Sequence, residues 1–92
     1  MIVFNDIMQR IENIIAVDSK NRRVYDKEIA RALELTPQYF AVIKKRDKIP
    51  YEAIAVFCHN KEVSINWILF GQEPQRLGNN NTKSTIQENN GP

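Results

Sequence analysis

Four basic side chains, Lys44, Lys45, Arg46 and Lys48, crowd the end of the stretch Thr36 to Pro50, in which Asp47 is the only acid. Cations in such a run neutralise phosphates and release the counterions condensed on a nucleic-acid backbone. The same stretch opens with Thr36, Pro37, Gln38 and Tyr39. A side-chain amide such as that of Gln38 can pair bidentately with adenine N6 and N7, and the hydroxyls of Thr36 and Tyr39 can donate to phosphate oxygens. A second cationic segment, Lys20 to Arg31, holds Lys20, Arg22, Arg23, Lys27 and Arg31 against Asp26 and Glu28. Four cations against one acid, and five against two, leave each segment at +3, although the whole chain carries only +2. Two such segments flanking one compact unit can straddle a phosphate backbone. A solvated charged surface is the plain alternative.

Other chemistries find little to work with. His59 is the only histidine and Cys58 the only cysteine. Adjacent helical positions point about a quarter-turn or more apart, so the two cannot readily share one metal, and no metal site is expected. No intramolecular disulfide can form. Glycine occurs only at Gly71, Gly78 and Gly91, so a phosphate-cradling glycine loop is absent and no nucleotide cofactor or small-molecule ligand is implied. Asp6, Glu12, Asp26 and Glu28 read as caps or surface charges. With no nucleophile, base and orienting group to assemble, the chain is not expected to be an enzyme. No signal-peptide or membrane-length apolar run is present, and a reducing cytoplasmic setting is expected.

The elements that must position these residues are helical. Phe4, Ile7, Met8, Ile11, Ile14 and Ile15 recur at helical spacing, which predicts a first helix over 5–16 with Asn5 as its cap. Asp26 is expected to cap a second helix over 27–34, with Ile29, Ala30 and Leu33 on its inner face. Thr36 caps and Pro37 opens a third, over 37–45, whose inner face is Phe40 and Ile43. Ala30 is small enough to let these two helices cross closely. Pro50 can open a fourth helix with Ile54, Phe57 and Cys58 inward. Ser64 caps a short fifth helix carrying Ile65, Trp67, Ile68 and Leu69, and Gly71 closes it. Trp67 reads chiefly as a core anchor. No strand pattern survives, so the class is all-α: one five-helix domain over 1–73. Residues 74–92, with Leu77 and Ile86 as their only large apolar side chains, are expected to form a disordered polar tail.

A helix, a sharp turn and a second helix rimmed by cations are the helix-turn-helix design. Two passages resemble a particular version of it, the lambda-repressor-like domain of phage CI-type repressors. One runs from Glu28-Ile-Ala-Arg-Ala-Leu33 through Lys44-Lys-Arg-Asp-Lys-Ile-Pro50, where that family has an isoleucine-proline pair after the recognition helix. The other is Val63-Ser-Ile-Asn-Trp-Ile-Leu-Phe-Gly71, which is similar to the family's fifth helix. With the fourth helix, the likeness covers residues 5–73. The chain departs at the turn, where Glu34 stands in the place usually held by glycine. A C-terminal dimerisation or protease domain of the kind such repressors often have is not expected.

The resemblance implies that the first two turns of the third helix enter the major groove of double-stranded DNA. Gln38, Val42, Ala41 and Pro37 then become the expected base readers, with Ala41 and Val42 against thymine methyls. Thr36, Tyr39, Lys44, Lys45, Arg46, Lys48, Arg22 and Arg23 are the expected phosphate contacts. Leu69 and Phe70, at the end of the fifth helix, are expected to meet a second copy, because palindromic half-sites call for a two-fold dimer. The function implied is a small sequence-specific transcriptional regulator, of repressor type, acting in the cytoplasm on the nucleoid. A protein-binding adaptor that kept the fold and lost operator recognition is the alternative, on the strength of Glu34 and Val42. A repressor and an activator would use the same DNA contacts.

Overall fold

Five helices follow one another in the computed structural model, which describes residues 2–19 and 23–77: α1 (Phe4–Ser19), α2 (Asp26–Ala32), α3 (Pro37–Lys45), α4 (Tyr51–Lys61) and α5 (Ile65–Phe70). The all-α, lambda-repressor-like class expected from the sequence is the class observed. α1 supplies the spine of the core. Phe4, Ile7, Met8, Ile11 and Ile14, three or four residues apart, bury one stripe of it. α1 packs on α2 and α5, α2 on α3, and α4 on α5. Ile29, Ala30 and Leu33 from α2 and its cap join Phe40 and Ile43 from α3 and Ile54, Phe57 and Cys58 from α4 in one cluster. Ala30 is fully buried, as a close crossing of α2 and α3 requires. Ile68 of α5 closes the core, and Trp67 and Leu69 lie half-buried against it.

Helix ends show where local signals held. The Thr36 hydroxyl accepts from the Tyr39 N–H at 3.1 Å, and the Ser64 hydroxyl accepts from the Trp67 N–H at 3.2 Å. Two expected caps are corrected. α1 already begins at Phe4, which puts Asn5 inside its first turn, and it runs on to Ser19. α2 is entered through Tyr25, whose backbone is extended and whose N–H donates to the Glu28 carboxylate at 2.6 Å. Asp26 is therefore the first helical residue and not the cap, and its carboxylate is free to reach another helix.

α2, α3 and α4 end alike. In each the chain turns through a residue with left-handed backbone: Glu34 at φ 59°, Asp47 at φ 53° and Glu62 at φ 55°. Two backbone bonds close each end, such as Leu35 N–H to Ala30 C=O at 2.8 Å and Glu34 N–H to Arg31 C=O at 3.0 Å. This is the Schellman arrangement, which ordinarily uses glycine. Only α5 has glycine there, Gly71 at φ 75°. The Arg10 guanidinium from α1 donates to the Ile68 carbonyl at 2.9 Å and lies over Gly71. It thereby ties the last turn of α5 to α1.

Beyond α5 the backbone doubles back. Ser64 N–H donates to Gln75 C=O, and Leu77 N–H to Glu62 C=O, both at 2.9 Å. Arg76 lies 3.4 Å from the Asp18 carboxylate, which Lys61 also approaches at 3.7 Å. Ordered pairing thus reaches Leu77, four residues past the boundary expected at 73. Residues 78–92 of the expected tail lie outside the described residues.

Candidate nucleic-acid interface

α3 is oriented from inside. Phe40 and Ile43 are 2% and 1% exposed, and the Phe40 ring meets Phe4 of α1 at 6.5 Å between centroids with a 38° tilt. Aromatic pairs at this separation contribute beyond their buried area, and here one locks the rotation of α3 about its own axis. With that stripe committed to the core, the opposite stripe must face outward. It consists of Gln38, Ala41, Val42 and Lys45, spaced i, i+3, i+4 and i+7, and all four are exposed. Val42 is 48% exposed. The outward stripe thus offers one amide, two small apolar surfaces and one cation.

Pro37 is exposed at the first position of α3, beside Lys27 and Arg31 of α2 in an open cleft of about 690 Å³ that Glu28, Glu34 and Leu35 complete. The Thr36 hydroxyl accepts from the backbone, and its own proton remains available to an outside acceptor. Tyr39, 44% exposed, sits on the α4 flank and lines a shallow apolar cleft with Leu35, Ile49, Tyr51 and Val56. Lys45, Arg46 and Lys48 are exposed, and among the described residues none of them belongs to an ion pair.

Lys44 is different. Its ammonium lies 2.6 Å from the Asp26 carboxylate, across the α2–α3 crossing. It follows Phe40 by one turn and so points along the α2 flank, away from the stripe that carries Gln38 and Lys45. Arg23 is exposed, its guanidinium 6.0 Å from the centre of the Tyr25 ring, while Arg22 lies outside the described residues. The structure therefore gathers Gln38, Ala41, Val42, Lys45, Thr36 and Pro37 at one surface. It sets Tyr39 and Lys44 on opposite flanks.

Lys27 and Arg31 were counted in the second cationic segment but not among the expected phosphate contacts, although their four-residue spacing on α2 puts both on one exposed side. On α5, Phe70 and Ile65 are 53% and 37% exposed, whereas Leu69 turns half inward against the core. Cys58 is buried, and burial pushes its thiol up to about 11, as befits a small apolar core residue. No grouping of His, Cys, Asp and Glu able to hold a metal occurs among the described residues, and none of their helices is long and apolar enough to cross a membrane.

An exposed stripe that combines an amide, small apolar side chains and a cation, on the second helix of a compact helix pair, is the geometry of major-groove recognition. The family model of the bacteriophage CI repressor helix-turn-helix domain matches residues 19–76, from the last residue of α1 through α5 to the returning backbone at Arg76. No curated protein and no solved structure gives a match to set beside it. The match spans more than half of the chain and takes in both helices of the motif and the tryptophan-bearing α5. On these grounds the chain belongs to the bacteriophage CI repressor helix-turn-helix family, and is a DNA-binding transcription regulator of the phage-repressor type.

Proposed function

We propose that this protein represses transcription by binding a palindromic operator as a homodimer, with α3 of each copy in the major groove of one half-site. One observation carries the reading. The outward stripe Gln38, Ala41, Val42 and Lys45 stands on a helix whose opposite stripe is buried, and two more cations, Arg46 and Lys48, follow it, which like Lys45 belong to no ion pair among the described residues. Gln38 reads an adenine edge, and Ala41 and Val42 meet thymine methyls, with Pro37 close by. Lys45, Arg46, Lys48 and Arg23, with the hydroxyls of Thr36 and Tyr39, hold phosphates, and Lys27 and Arg31 extend that set along α2. Dimerisation uses the exposed end of α5, led by Phe70. Repression follows from occupying a promoter that polymerase needs.

Selection of bound sequences from a random duplex library at near-physiological salt tests this reading. Recovery of an inverted repeat with half-site centres about one helical turn apart is the expected result. On the recovered operator, Gln38→Ala should relax preference at one base pair at a cost of about 1–3 kcal/mol, whereas Lys45→Ala should weaken all sequences alike. Equal losses on cognate and scrambled DNA for Gln38→Ala would refute its reading role.

A second reading has one observation in its favour. Leu35, Tyr39, Ile49, Tyr51 and Val56 leave apolar surface exposed in a cleft beside α3 that Glu34, Lys48 and Glu52 also line, and a protein contact would cover it. Under that reading the chain is a protein-binding adaptor. Binding to DNA should fall steeply from low to moderate salt, while an apolar protein contact should change little.

A further inference from the structure

Of the four cations that crowd the end of α3, one is already occupied. Lys44 Nζ sits 2.6 Å from Asp26 Oδ2, and the two residues are 18 apart in sequence, on different helices. Asp26 lies at the first turn of α2 and Lys44 in the last turn of α3, so each charge also suits the helix end that bears it. Both side chains remain about half exposed, at 50% and 56%. A phosphate that takes Lys44 must first displace Asp26, at a cost that solvent and salt set. Lys45, Arg46 and Lys48 face no such competitor among the described residues.

We propose that Asp26 holds Lys44 on the α2 flank and withholds it from DNA, so that Asp26 limits how many cations the recognition helix brings to the phosphate backbone. The inference rests on the DNA-binding reading above. Asp26 acts through Lys44 and touches no base or phosphate itself. Its effect is to keep operator affinity and non-specific affinity lower than the sequence of α3 alone would set them. Each phosphate neutralised steepens the dependence of log K on log salt by about 0.9. Releasing Lys44 should therefore add one such increment. Between about 200 and 50 mM salt, a fourfold change, that increment amounts to an extra gain in affinity of about 3.5-fold.

The experiment compares the full-length wild type, Asp26→Asn, Asp26→Glu, Lys44→Ala and the double variant on one duplex, the operator recovered by selection, across a salt series. Asp26→Asn should steepen the slope by about 0.9 and bind more tightly at every salt. Asp26→Glu, which keeps the charge, should retain the wild-type slope. Lys44→Ala should leave that slope unchanged, and the double variant should match Lys44→Ala. A shallower slope for Lys44→Ala would mean that Lys44 already sits on phosphate, and would overturn the proposal. So would an unchanged slope for Asp26→Asn. A gain that survives in the double variant would also overturn it, because the Asp26 charge would then repel DNA without any part for Lys44. Wild-type protein that binds no duplex would remove the DNA-binding reading and this inference together. Wild-type binding with any of the three contrary slopes would remove this inference alone.

Discussion

Replacing Glu34 by glycine should make the protein more stable, although the substitution removes a side chain and adds none. Glu34 has φ 59°, and it cannot relax toward ordinary helical values. Its own N–H is held by Arg31 C=O at 3.0 Å, and the next N–H, that of Leu35, by Ala30 C=O at 2.8 Å. A residue with a Cβ in this left-handed region carries about 1–2 kcal/mol of steric cost that glycine does not. Against this, glycine gains about 0.5–1 kcal/mol of backbone freedom in the unfolded chain. A third effect comes from charge. Glu34 lies just past the C-terminal end of α2, where the helix dipole is negative, and a carboxylate there is unfavourable by about 0.3–1 kcal/mol at low salt.

The three effects sum to a net gain of about 1 kcal/mol, which raises Tm by about 4–8 °C for a domain of this size. Far-ultraviolet circular dichroism during heating measures the shift, and urea unfolding with an unchanged m value confirms that stability has moved without a change in the compactness of the unfolded chain. Glu34→Gln separates the causes, since it removes the charge and keeps the Cβ. The expected order is Glu34→Gly above Glu34→Gln, with both above wild type. If Glu34→Gly melts at or below Glu34→Gln, the left-handed backbone is not a cost in this fold and the reasoning fails.

Two other perturbations follow from the same structure. Cys58 holds its proton in the folded protein up to about 11, against 9.0 for an unhindered thiol, because burial disfavours the thiolate. Its contribution to stability is therefore complete below pH 9.0 and is lost as pH rises toward about 11, where the unfolded chain ionises first. Urea midpoints across that window should fall more for the wild type than for Cys58→Ala, and parallel curves would count against a desolvated thiol. Phe70→Glu places a charge on the exposed end of α5, where Phe70 is 53% exposed. Under the dimer proposed above, it should abolish self-association in analytical ultracentrifugation. Retention of the dimer would move the interface elsewhere.

What the sequence determined by itself was part of what acts over one turn of chain. Thr36 and Ser64 cap α3 and α5 because a hydroxyl reaches an N–H three residues on, whatever the rest of the protein does. Phe40 and Ile43, at helical spacing, had to share a face, and the outward positions of Gln38, Ala41, Val42 and Lys45 followed from that alone. Even the strain at Glu34 could be anticipated, since a turn that tight asks for a residue free to take positive φ.

Only the tertiary structure decided what depends on how the helices cross. Asp26 has the composition of a cap, yet Tyr25 begins the helix and Asp26 pairs with Lys44, a partner 18 residues away that no local rule could select. Arg10 reaches the end of α5 across 58 residues, and Arg76 reaches Asp18 across the same separation. The polar composition after Gly71 gave no sign that Gln75 and Leu77 would pair with the α4–α5 connection. Backbone hydrogen bonds drive that pairing, and every residue can make them. The outward stripe was thus written in the period of α3. That Lys44 at its end is paired was settled only when α2 folded against it.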